Sequence, residues 1–207
     1  MKSGKRGPGR PRSFDQEQVL EQATQVFWAH GYEGASLAML QAATGLNPPS
    51  IYHAFGSKAG LYAACLDHYV ASVGQHTNAA LSREVPDRAG LAEFLLGAAR
   101  QFTDADCPGG CMISTAALEL PPQSDPVARA VAGRRDTTLG LLTDYFRRAQ
   151  AAGTLDRGAD PQALSRYFGA IVQGMSVQAR DGATADELTA VAHIALTAWR
   201  EPPPPRR

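Results

Sequence analysis

The sequence predicts an all-α protein of about nine helices, an N-terminal three-helix head followed by a larger helical body. Three observations lead there. Apolar residues recur at three- and four-residue spacing from Val19 to Ala198, the period of a helix with one buried face. Between these stripes stand residues that open helices (Asp15, Ser36, Asn47, Ser57, Asp87, Asp160, Thr184) and glycines that close them (Gly31, Gly45, Gly56, Gly153). No stretch shows the period-two alternation of a strand.

Residues 1–13, MKSGKRGPGRPRS, are rich in glycine, proline and basic side chains and contain no acid. Such a segment has nothing to bury and is expected to be a disordered arm. Its GRPR resembles the core of an AT-hook, which would send Arg10 and Arg12 into a narrow A·T-rich minor groove. A solubilising tail is the alternative. The first helix is expected from about Asp15 to His30, opened by an Asp15/Gln18 capping box and a Phe14–Val19 staple. Val19, Leu20, Ala23, Val26 and Phe27 form its stripe, and Gly31 ends it.

Residues 36–58 organise the chain. Ser36 caps a helix whose apolar face is Leu37, Leu40 and Ala43, and Gly45 suits its left-handed end. Leu46 plugs the corner, Asn47 caps a short helix, and Pro48 takes the first helical position, where a missing N–H is harmless. Ile51 and Phe55 face inward, leaving Pro48, Pro49, Ser50, Tyr52 and His53 as an outward surface suited to phosphates and thymine methyls. Ser57 caps the next helix and places Lys58 in its first turn. Helix, glycine-bearing turn, helix is the helix-turn-helix pattern, whose second helix enters the DNA major groove. An ordinary helical hairpin is the competing reading.

The helix opening at Ser57 is expected to run to about Ser82, with Tyr62, Cys65, Leu66, Tyr69 and Val73 on one face, as the only covalent lever between head and body. Five more helical stretches follow. One opens at Pro86-Asp87 and carries Leu91, Phe94, Leu95, Ala98 and Phe102. A short one is expected from Met112 to Leu120, after the loop Cys107-Pro-Gly-Gly-Cys111. The others open at Asp125-Pro126, Asp160-Pro161 and Thr184. The resulting divisions are 1–13 arm, 14–60 head, 61–200 body for ligand binding and dimerisation, and 201–207 a disordered proline-rich tail. The last two helices carry more apolar face than one chain needs, which points to a homodimer built around a two-fold axis.

At this point GASLAMLQAATGLNPPSIYHAFGSKAGLY closely resembles the DNA-binding signature of TetR-type transcriptional repressors. The match is specific over residues 13 to 70; the rest fits in length and helical rhythm. The resemblance implies an all-helical homodimer with a reading head, a ligand-binding body and double-stranded operator DNA as partner. It implies DNA contacts at Pro48, Pro49, Ser50, Tyr52, His53 and Lys58, and the capping residues Ser36 and Asn47 are further candidate DNA contacts. Ala54 departs from the pattern, because the family often has a ring there, so His53 would take more of that role.

The chain has 207 residues, 44% of them hydrophobic, and a formal net charge of zero. The charge is unevenly spread: residues 1–60 hold six Lys/Arg against four acids, and five of those six cations precede Ser13. That is a basic footprint on a neutral body. No apolar run approaches the roughly 18 residues of a membrane span, and the basic N-terminus lacks a signal peptide's apolar core. Three cysteines form no disulfide framework, so a cytoplasmic home is expected.

No phosphate loop, metal-spaced cluster or nucleophile elbow is present, so no enzyme, metal or cofactor is expected. A thiol-redox enzyme using Cys107 and Cys111 is one alternative, although CxxxC is one residue longer than the usual redox spacing. A non-specific architectural DNA-binding protein is another. The favoured expectation is a repressor released by a small apolar inducer or by thiol modification. Phe94, Phe102, Met112, Tyr145, Phe168 and Met175 are the candidate pocket lining, with core filling as the alternative. Cys111, expected at a helix N-terminus that lowers a thiol pKa, is the candidate sensor.

Overall fold

A computed structural model describes residues 15–116 and 126–203. Arg10, Arg12, the arm of residues 1–13, the Phe14 staple and the end of the proline-rich tail lie outside the described residues. Among those described there are nine α-helices and no strand.

The head is α1 (Gln16–Gly34), α2 (Leu37–Thr44) and α3 (Pro48–Phe55). Asp15 caps α1 by accepting from the amides of Glu17 and Gln18. Gly31, at φ 69° and ψ 177°, breaks the helix where a stop is expected, and one further turn continues to Gly34. Ser36 caps α2 through the Met39 amide, Gly45 closes it in the left-handed region, and Asn47 caps α3 through the Ser50 amide. Leu40 and Ile51 are fully buried and share one cluster with Phe27, Trp28, Leu61 and Tyr62. That apolar contact fixes the angle between the two short helices, which alone are too short to be stable in water.

The lever is two helices rather than one. α4 spans Lys58–Ala71 and α5 spans Val73–Ala79, followed by a tight turn at Ala80–Ser82. The break falls at Ser72, whose hydroxyl and amide both donate to the His68 carbonyl. A serine hydroxyl that takes up a carbonyl one turn back bends a helix, and Gly74 directly behind offers little resistance.

The body adds α6 (Arg88–Phe102), α7 (Pro126–Ala152), α8 (Pro161–Arg180) and α9 (Ala185–Ala195). Asp87 and Asp160 cap α6 and α8, and Thr184 with Glu187 forms the expected capping box on α9. The body core is centred on Phe94, Tyr145, Phe146, Phe168 and Trp199. The helix expected to begin at Met112 is instead a succession of turns through Ala116. The Arg135 guanidinium accounts for this, because it donates to the carbonyls of Ile113 and Ala116. The continuation to Leu120 lies outside the described residues. The count of nine therefore agrees with expectation by a different division of the chain.

Candidate nucleic-acid interface and body cavity

The outward face of the head follows from what its inward face buries. Ile51 is buried and Phe55 packs against the head cluster. Helical geometry then turns Pro49, Tyr52 and His53 to solvent, with Pro48 and Ser50 half-covered at the helix start. Tyr52 is 46% exposed, a large ring left partly in water. Ser36 and Asn47 are exposed while capping α2 and α3. Lys58 sits in the first turn of α4, its Nζ 4.6 Å from the Tyr32 ring centroid. An ammonium there is poorly placed for the helix dipole, and the ring face offsets part of that penalty. Rings, hydroxyls and a cation therefore stand at or near the surface of the head, groups of the kinds that phosphates and base edges accept.

A cavity of about 350 Å³ opens between α4, α5, α6, α7 and α8. Phe94, Phe102 and Cys111 line it. The other candidates do not: Tyr145, Phe168 and Met175 are packed in the body core, and Met112 is packed in the head cluster. Their stripes are apolar, as the spacing predicts, but each stripe faces the neighbouring helices and the cavity opens beside it. Val70, Leu139, Leu141 and Val172 supply much of the remaining apolar wall. The polar part is a chain: Thr77 Oγ1 donates to Gln101 Oε1 at 2.7 Å, and Gln101 Nε2 donates to Tyr69 Oη at 3.0 Å. Arg134 and Arg135 also border the cavity, and helical spacing gives no hint of it. A different signal was available, since neither has an acid three or four residues away to pair with on its own helix.

The loop before Met112 joins cavity to head. Its Gly109 carbonyl accepts from Trp28 Nε1 at 3.1 Å, and the Cys111 amide donates to Ser176 Oγ at 2.7 Å. Gly110, at φ 64°, lies so close to α8 that a Cβ would stand 2.6 Å from the Ser176 carbonyl. From the end of α8, Arg180 donates to the carbonyls of Trp28 and Ala29, in the turn of α1 just before the Gly31 break. The head is thus held to the body by this clamp as well as by α4.

Cys111 does not stand at a helix N-terminus, because turns follow it. Burial, and then the carboxylates of Asp104 and Asp106, push the Cys107 thiol up from its ordinary value. Cys65 is pushed up to about 12 by burial in the head cluster. Among the described residues no group of His, Cys, Asp or Glu could hold a metal ion, and no helix is long and apolar enough to cross a membrane.

These features place the chain in a class of helix-turn-helix regulators with a cavity-bearing helical body. A family model described as bacterial regulatory proteins, tetR family, matches residues 19–65, and one described as the tetracyclin repressor-like C-terminal domain matches residues 88–195. The chain belongs to the TetR family. It is 34% identical over 198 residues to the HTH-type transcriptional repressor ComR of Escherichia coli (strain K12), covering 95% of this chain and 94% of that protein. It is 31% identical over 194 residues to the repressor BdcR of the same strain, covering 94% and 93%. Among solved structures it resembles a cysteine-substituted TetR family regulator, CifR, complexed with a 26-base-pair operator DNA. That likeness has TM-score 0.86 and 39% identity, covering 92% of this chain and all of the other. A TetR regulator from Chloroflexus aurantiacus J-10-FL matches with TM-score 0.75 and 26% identity, covering 87% and 91%.

Proposed function

We propose that this chain is a cytoplasmic transcriptional repressor that binds a palindromic operator as a homodimer. It lets go when a small, largely apolar molecule fills the body cavity or when a loop thiol is modified. The observation that carries the reading is α3, a two-turn helix anchored by buried Ile51 that holds Tyr52 and His53 out to solvent. The operator complex of a relative that is 39% identical supports it.

Tyr167 and Val177 on α8 and Ile194 on α9 are exposed, Ile194 at 70%, and a second copy packed on these helices would cover them. Two heads about 34 Å apart then read successive major grooves. Filling the cavity moves α4 and the loop that touches Trp28, so the heads lose the groove spacing. A body state that favours the wrong spacing by about 3 kcal/mol lowers operator affinity roughly a hundredfold. The arm of residues 1–13 adds minor-groove contacts through Arg10 and Arg12. Deleting residues 1–12 should flatten the salt dependence of affinity, by about 0.9 in log–log slope for each phosphate the arm neutralises.

A mobility-shift titration on DNA flanking the chain's own gene, with scrambled competitor, tests the core of the reading. A sequence-specific complex with two or more subunits is expected. Equal binding to all sequences would favour the architectural alternative. No shift, together with dithiol turnover, would favour a redox enzyme acting through Cys107 and Cys111.

A further inference from the structure

Among the described residues, the cavity wall carries a positive charge without a counter-charge. Three of its lining residues carry a formal charge: Asp67, Arg134 and Arg135. Asp67 takes the Arg134 guanidinium. Arg135 therefore has no carboxylate partner among the described residues. Its Nη1 donates to the Ile113 and Ala116 carbonyls at 3.2 and 3.0 Å, which occupies hydrogens but leaves the charge uncancelled. Beside it, Arg134 spends Nη1 and Nη2 on the carbonyls of Ala130 and Ala63 and on Asp67, while its Nε is buried with no acceptor at all. A buried donor without an acceptor and a partly buried cation without an anion are both costly. An anionic oxygen pair would relieve the Arg135 charge, because guanidinium donors match a carboxylate's geometry.

We infer that the cavity takes a small organic monoanion, an apolar body ending in a carboxylate. Its charged end is held by Arg135, and its body lies among Phe94, Phe102, Leu139 and Val172. This inference rests on the reading of the cavity as the inducer site. A cationic ligand has no place there, since the one acid in the described wall is already paired. A neutral ligand would fill the apolar part and leave the charge on Arg135 as it is. The position also supplies a route to the head. Arg135 ties down the turn at residues 113–116, so a carboxylate competing for its donors loosens the segment whose preceding loop touches Trp28.

Three probes of one body and different charge decide it: 4-phenylbutyrate, 4-phenylbutyramide and 4-phenylbutylammonium. Each is titrated calorimetrically into the full-length wild-type protein and then tested for operator release. The carboxylate should bind about tenfold or more tighter than the amide, the scale of one hydrogen bond to a charged group. The ammonium should bind least. Arg135→Met should erase the preference and Arg135→Lys should keep most of it; the wild-type comparison stands even if a variant folds poorly. If the amide binds as tightly as the carboxylate and also releases the operator, the charge assignment falls and the inducer reading survives. If the carboxylate is preferred but the operator stays bound, the charge assignment holds and the inducer reading falls. Binding of none of the three overturns both.

Discussion

Trp28 of α1 stands edge-on to Tyr69 of α4, ring centroids 5.0 Å apart and planes at 80°. One ring belongs to the reading head and the other lines the body cavity, so cavity and head are separated by the thickness of one side chain. Burial holds the Tyr69 phenol well above its ordinary value, which keeps it protonated while Gln101 donates to its oxygen. Head and cavity are thus joined along two paths: the backbone of α4, and the aromatic contact reinforced by the Gly109 and Arg180 hydrogen bonds to α1.

Tyr69→Phe separates these roles. It keeps the ring against Trp28 but removes the acceptor of Gln101 Nε2. The variant should be less stable by about 1–2 kcal/mol, the cost of a part-buried amide left short of a partner, with operator affinity unchanged in the absence of ligand. Urea unfolding checks it. No measurable change would mean that Gln101 re-pairs within the cavity and that the polar chain is not structural.

On the head, Tyr52→Ala and Lys58→Ala should each weaken operator binding by about 1–3 kcal/mol while leaving the oligomeric state alone. They should differ in character. Lys58 offers charge, so removing it should lower the salt dependence by the amount that one neutralised phosphate contributes. Tyr52 offers a ring and a hydroxyl, and removing it should alter the ranking of operator variants. Affinity unchanged in a folded double variant would remove α3 as the reading element.

The contrast between head and body shows what a sequence can carry. Ser36, Gly45, Asn47 and Ser57 are local signals, each needing only its next few residues, and each does what its position implies. Ile51 and Leu40 declare their burial by spacing alone. The cavity depends instead on which of several apolar stripes leaves a gap when five helices meet. Phe94 and Phe102 border that gap while Tyr145 and Phe168 fill the core beside it, and helical spacing is the same for all four. The turn at Met112–Ala116 was illegible for a related reason. Its helical composition is overruled by Arg135, a residue about twenty positions away. Ser72 hid in the same manner, since a serine inside a helical stripe either faces solvent or bends the helix according to its surroundings.

Alkaline stability follows from the head cluster. Burial raises the Cys65 thiol from 9.0 to about 12, and burial with the neighbouring Cys65 raises the Tyr62 phenol from 10.0 to about 12. Both groups lose protons in the unfolded chain before they do so in the fold. As pH rises above about 9 the unfolded state therefore binds fewer protons than the native state, and stability falls until the folded values near 12 are reached. Urea midpoints measured from about pH 8 to 11 should decline, and Tyr62→Phe should make the decline shallower above about pH 10. A flat profile in the wild-type protein would show that these groups ionise alike in both states.

Cys111 is expected to be the thiol through which electrophiles act, for reasons of place rather than of helix dipole. It borders the cavity, and it packs against both the body core and the head cluster. Its amide is held by Ser176, so an adduct on its sulfur is carried by a backbone already tied to α8. Added volume there presses on Tyr69 and on the loop whose Gly109 carbonyl holds Trp28. Cys107 is disfavoured by chemistry: burial and the carboxylates of Asp104 and Asp106 raise its pKa, so less of it is thiolate at neutral pH and alkylation is slower. Cys65, buried and raised to about 12, should stay unmodified while the protein is folded. Wild type, Cys107→Ser and Cys111→Ser treated with iodoacetamide, followed by mass analysis and an operator-release assay, resolve the three thiols. Wild type and Cys107→Ser should release DNA with modification at Cys111, and Cys111→Ser should hold it. Asp104→Asn should speed labelling of Cys107 without releasing the operator. Release by the Cys111→Ser protein at the wild-type rate would return both loop cysteines to a structural role and leave the cavity as the sole route to induction.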